Sequence, residues 1–94
     1  MNQLSNKVAI ITGASSGIGQ DAARLFASEG ARLVVTGRRQ AALEALVGEI
    51  AAKGGEAVAL AGDIRDEQLA RRLVELAVDR FGGLDIAFNN AGIT

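Results

Sequence analysis

The chain of 94 residues contains no cysteine, proline, histidine, tryptophan or tyrosine, and its only aromatic side chains are three phenylalanines. The absence of cysteine accords with a reducing compartment. With histidine missing as well, no metal site is expected. Basic clusters are also lacking: ten Lys and Arg side chains stand against eleven Asp and Glu, a net charge of -1, and they are dispersed along the chain. That balance argues against nucleic acid and against an anionic membrane surface as partners. No run approaches the roughly eighteen apolar residues of a membrane span, and no basic, then apolar, then small-residue leader opens the chain. A cytoplasmic protein is the expectation. With 49% hydrophobic residues the chain suffices for one small domain, which by surface-to-volume scaling buries only about two thirds of its unfolded surface.

What is present centres on Lys7 to Asp21, KVAIITGASSGIGQD. An apolar, β-branched run from Val8 to Thr12 stops at Gly13, and Gly13, Gly17 and Gly19 lead into a helical pattern that begins near Ile18. Strand, glycine turn and helix in that order form a context suited to an anion. Bare backbone can approach a phosphate closely and take positive φ at no steric cost, and the helix directs its unpaired N–H groups and positive dipole end at the turn. The GxxxGxG spacing differs from GxGxxG and from the triphosphatase loop, whose lysine is missing here. Ser15 and Ser16 lie in this turn with no histidine or other base beside them, so they are not nucleophiles.

Along the chain, a helix with Ile18, Ala22, Leu25 and Phe26 on one face is predicted to run to Gly30. Ala31 to Thr36 reads as a second strand, followed by the turn Gly37-Arg38-Arg39. A second helix carries Leu43, Leu46, Val47 and Ile50, and stops before Gly54-Gly55. Ala57 to Ala61 is a third strand, closed by Gly62-Asp63. Asp66 is a candidate N-cap for a third helix bearing Leu69, Leu73, Leu76 and Ala77, and Leu84 to Phe88 is a fourth strand. The order β-α-β-α-β-α-β with continuous apolar strands predicts an α/β fold with helices on both faces of a parallel sheet. Right-handed crossovers, two in one direction and one back, give strand order 3-2-1-4. Ligands then bind at the switch between the first and fourth strands, where the Gly13 to Gly19 and Asn89 to Gly92 turns should meet.

Residues at the ends of these strands suggest a nucleotide. About twenty residues beyond the glycine turn an NAD enzyme presents Asp or Glu to the ribose 2′-hydroxyl, whereas arginine suits a 2′-phosphate. Gly37-Arg38-Arg39 offers no acid, so NADP is expected over NAD, with Arg38 the main contact and Arg39 the spare. Arginines merely solvated at a helix start are the alternative. Asp63 at the end of the third strand suits either a turn or cap role or the exocyclic amine of adenine.

The segment Thr12-Gly13-Ala14-Ser15-Ser16-Gly17-Ile18-Gly19 resembles the TGxxxGIG signature of the short-chain dehydrogenases and reductases, and Asn89-Asn90-Ala91-Gly92 matches their NNAG motif. The resemblance implies that residues 1–94 are the N-terminal part of a single Rossmann-type dinucleotide-binding domain, cut after the fourth strand. It implies a cofactor site at Gly13, Ser15, Ser16, Gly17, Ile18, Gly19, Arg38, Arg39, Asp63, Ile64, Asn90, Ala91 and Gly92. Within that site Asp63 and Ile64 would meet adenine, Asn90 the cofactor, and Asn89 would help hold the sheet. The parent would be an NADP-dependent oxidoreductase moving hydride between nicotinamide and a carbonyl or secondary alcohol of a small-molecule substrate. The family's catalytic Ser, Tyr and Lys have no match, since no tyrosine is present, no serine follows Ser28, and Lys7 and Lys53 are the only lysines. This segment alone is therefore expected to be inactive. A stand-alone nucleotide-binding or interaction module is the alternative. An exposed edge strand at Ile86 and Phe88 would favour self-association into a homo-oligomer.

Overall fold

The computed structural model describes residues 3–89. Seven elements follow one another: β1 (Val8–Ile11), α1 (Gly17–Ser28), β2 (Arg32–Gly37), α2 (Gln40–Ala52), β3 (Glu56–Ala61), α3 (Glu67–Phe81) and β4 (Ile86–Phe88). The four strands form one parallel sheet in the order β3-β2-β1-β4, as expected when every connection is a helical crossover. Ile11 is level with Val35 of β2 and with Phe88 of β4, so the carboxyl ends of β1 and β4 line up while β2 runs on to Gly37. Gly37 of β2 is likewise level with Ala61 of β3.

The alternation of side chains along the strands divides the core in two. Ala9, Ile11, Leu33 and Val35 face α1 and α2, where they meet Ala23, Leu43, Leu46 and Ile50. Val8, Ile10 and Val34 face the other way, onto Leu69, Leu73 and Ala77 of α3. Both faces of β1 and β2 are thus covered, which is why these strands read as unbroken apolar runs rather than alternating ones. Truncating a side chain such as Leu33, wholly buried in the first cluster, costs about 2–5 kcal/mol through lost transfer energy and the cavity left behind.

α1 departs from its predicted face. Ile18 and Leu25 are 58% and 59% exposed, and the residues turned inward are Gly19 and Ala23, with Phe26 and Ala27 half-buried beside them. Small side chains win here because α1 begins hard against the glycine turn, and a bulky inward residue would force the helix off the sheet. Phe26 meets Phe88 of β4 edge to face, with centroids 5.9 Å apart. Ile86 and Phe88 accordingly pack on the first core cluster, so the predicted exposure of this pair is limited to the strand edge.

β4 also starts later than predicted. Asp85 supplies a bracket before the strand, its N–H donating to the Val8 carbonyl (2.9 Å) and its Oδ2 accepting from the Val8 N–H (2.9 Å). α3 starts as its sequence signals suggest, with the Asp66 carboxylate accepting from the Gln68 N–H (2.9 Å) and Glu67 in the first turn. It ends at Gly82, whose φ of 86° is the left-handed cap that favours glycine.

Candidate functional site

The carboxyl end of β1 turns sharply at Gly13, which takes a φ of 65° that costs any other L-residue roughly 1–2 kcal/mol. The turn is anchored on both sides. The Ala14 N–H donates to the Thr36 carbonyl of β2 (2.8 Å) and the Thr12 N–H to the Phe88 carbonyl of β4 (3.0 Å). Ser16 caps α1 with an extended backbone, but its hydroxyl donates back to the Gly13 carbonyl (2.8 Å) rather than accepting from the helix. With no acidic residue in the first turn either, the backbone donors and positive end of α1 are left for an external anion.

The three glycines serve three different ends. Gly13 supplies the left-handed turn. Gly19 permits contact, since a Cβ there would lie 2.1 Å from the Gly13 carbonyl oxygen. Gly17 faces open space, with no atom within 4 Å of where its Cβ would stand. Open space against bare main chain, beside the start of a helix, is the shape a pyrophosphate requires.

Two further loops reach the turn. From β4, Asn89 Oδ1 accepts from the Thr12 hydroxyl (3.0 Å), joining the ends of the first and fourth strands. The predicted meeting of the two turns therefore holds as far as Asn89, while Asn90, Ala91 and Gly92 lie outside the described residues. From β2, Gly37 comes so close to Ser15 that a Cβ would sit 2.6 Å from the Ser15 Oγ, and Arg39 Nη2 donates to the Ser15 carbonyl. Arg39 thus braces the turn in this structure. Arg38 reaches instead toward β3, with Nη2 3.3 Å from Asp63 Oδ2.

Asp63 is shared between two arginines. Arg65 is the stronger partner, with Nη2 2.8 Å from Oδ2 and its backbone N–H 2.9 Å from Oδ1. Hydrogen bonds from the Arg65 side chain, then from its backbone, with the nearby charge of Arg38, hold the Asp63 carboxyl well below the usual carboxylate range. Ile64, beside it, is 39% exposed. Gly13, Ser15 to Gly19, Arg38, Arg39, Asp63 and Ile64 thus lie along the carboxyl ends of β1, β2 and β3. Arg65 and the close approach of Gly37 lie outside the residues expected from the sequence. An arginine two residues after an acid is the one local signal for the former.

A cavity of about 480 Å³ opens at the opposite end of the sheet, among Arg24, Ser28, Glu49, Lys53 and Glu56. It touches none of the residues above. An extended dinucleotide lies along strand ends at a switch point rather than in a closed chamber, so the glycine turn outweighs cavity size in placing the site. Among the described residues no group of three or more acidic side chains is placed to hold a metal ion, and no helix is long and apolar enough to cross a membrane.

Comparison with known proteins agrees with this geometry. The model of the short chain dehydrogenase family matches residues 7–94. The chain belongs to that family. It is 49% identical over 90 residues to an uncharacterised oxidoreductase of Listeria monocytogenes, covering 96% of this chain and 36% of that protein. It is 50% identical over 86 residues to the A-factor type gamma-butyrolactone 1′-reductase of Streptomyces virginiae, covering 92% of this chain and 34% of the reductase. Among solved structures, L-sorbose reductase of Gluconobacter frateurii, complexed with NADPH and L-sorbose, superposes with a TM-score of 0.89 at 39% identity, covering 98% of this chain and 36% of the reductase. The chain thus spans about a third of the length of these relatives. Short-chain dehydrogenases bind nicotinamide cofactors and act on small molecules, and the open space before Gly17 leaves room for a phosphate of such a cofactor.

Proposed function

We propose that this chain is the cofactor-holding part of a short-chain oxidoreductase, and that it takes NADP in preference to NAD. The observation that carries the reading is the glycine turn, in which Gly19 docks the helix on Gly13 while Gly17 leaves main chain bare before open space. The N–H groups at the start of α1 would meet the pyrophosphate. Asp63 and Ile64 would lie against adenine, and Asn90, Ala91 and Gly92 would belong to the cofactor site.

Preference for NADP is supported by the end of β2. Gly37-Arg38-Arg39 stands where an acidic side chain would favour the 2′-hydroxyl of NAD. Arg38 is two-thirds exposed and held by a single contact of 3.3 Å, so its planar fork is available to grip a phosphate. When bound, the cofactor supplies hydride exchange with a carbonyl or secondary alcohol. The residues of this chain bind and orient it, and none of them is an evident proton donor for that exchange, because the chain has no tyrosine.

Calorimetric titration with NADPH and with NADH tests the reading. Tighter binding of NADPH is expected, with that advantage falling about tenfold in Arg38→Ala, the worth of one charge-assisted hydrogen bond. Equal or tighter binding of NADH by the unaltered chain would sink the NADP assignment.

A further inference from the structure

Arg38 has a competitor for its charge in Asp63. A carboxylate within reach of the arginine that is to bind a 2′-phosphate has two adverse effects: it partly neutralises the guanidinium, and it repels the incoming phosphate. Left alone with Arg38, Asp63 would work against the preference that Arg38 confers.

The contacts of Asp63 show how this conflict is relieved. Arg65 engages both carboxylate oxygens, through Nε at 3.1 Å from Oδ1 and 3.2 Å from Oδ2, through Nη2 at 2.8 Å from Oδ2, and through its backbone N–H at 2.9 Å from Oδ1. Arg38 makes one contact of 3.3 Å. A carboxylate has about four lone-pair positions, and Arg65 takes most of them. Arg39 plays no part, because its guanidinium is on the Ser15 carbonyl. We propose that Arg65 is a positioning residue for cofactor choice, holding the Asp63 carboxylate so that Arg38 stays free for the 2′-phosphate.

This inference rests on the NADP reading above and goes one residue further. Asp63 faces both cofactors alike wherever it meets adenine, so its effect on adenine binding cancels in the ratio of NADH to NADPH dissociation constants. That ratio is the quantity to measure, by titrating the chain and the variants Arg65→Ala, Asp63→Asn and Arg65→Ala/Asp63→Asn, with circular dichroism confirming that each is folded. In Arg65→Ala, Asp63 turns to Arg38 and the ratio falls about three- to fivefold, the scale of an exposed ion pair. In the double variant no carboxylate remains to capture Arg38, and the ratio returns at least to its starting value. Arg65→Ala with an unchanged ratio overturns the inference while leaving the NADP reading intact. A double variant that stays as low as Arg65→Ala also overturns it, since Arg65 would then be gripping the phosphate directly. An unaltered chain with no preference for NADPH overturns the cofactor assignment itself, and the inference with it.

Discussion

A Cβ on Gly19 would lie 2.1 Å from the carbonyl oxygen of Gly13 and 2.9 Å from the Cα of Ala14, so α1 and the turn before it are in direct main-chain contact. Two residues earlier, the same construction at Gly17 meets nothing within 4 Å. A side chain at position 19 would therefore disturb the fold and the turn together, whereas one at position 17 would fill only the space in front of α1.

Gly19→Ala must push backbone against backbone, and overpacking of that kind costs about 1–3 kcal/mol. Thermal melting should show the loss, and NADPH titration should show weakened binding because the turn is displaced. Gly17→Ala has room and a helical position, so its stability should hold or rise by up to about 1 kcal/mol. Its NADPH binding should nonetheless fall, because the new methyl group stands where the phosphate approaches. A Gly17→Ala chain that binds NADPH as well as the unaltered one would mean that the open space in front of α1 is not the phosphate site.

A second prediction concerns how β4 is held. Val8 is 2% exposed and its N–H is satisfied by the Asp85 carboxylate at 2.9 Å. Asp85→Ala leaves a backbone donor without its partner at the head of β1, at a cost of about 1–3 kcal/mol. Asp85→Asn keeps an acceptor oxygen and should lose clearly less. Urea unfolding reads the difference as a fall in midpoint at constant slope. Equal losses in the two variants would show that the charge of Asp85, rather than the hydrogen bond, matters there.

Much of this molecule was legible in its sequence wherever one physical demand dominated. β1 and β2 are sandwiched between helices, so they had to be continuous apolar runs, and strand order followed from crossover handedness. The N-cap of α3 was legible because Asp66 acts on its own next turn. α1 was misread because it offers two apolar stripes. Ile18 and Leu25 carry the larger side chains, but the sheet accepts Gly19 and Ala23, and only the contact with Gly13 decides between them. The contact of Asp63 with Arg38 spans 25 residues, and no local pattern announces it. Crossover topology alone makes the ends of β1 and β4 neighbours, and the hydrogen bond between Thr12 and Asn89, 77 residues apart, joins them there.

The last prediction is a pH dependence. Hydrogen bonds from Arg65 hold the Asp63 carboxyl well below its ordinary value of 3.8, and the Arg24 guanidinium, 2.6 Å from Glu49, lowers the Glu49 carboxyl from its ordinary 4.5. A carboxyl depressed in the folded state adds stability above its unfolded value. That stability is lost as the pH falls toward the folded value, because the unfolded chain then binds more protons. Melting temperature should therefore fall as the pH drops below the ordinary carboxylate range. The gap between the unaltered chain and Asp63→Asn should be widest near neutrality and close on acidification. Both pairs are open to solvent, so about 1 M salt, with a Debye length of about 3 Å, should narrow the gap at neutral pH. A gap that widens in acid would mean that Asp63 is not held as an ion by Arg65, and the positioning role of that arginine would lose its physical basis.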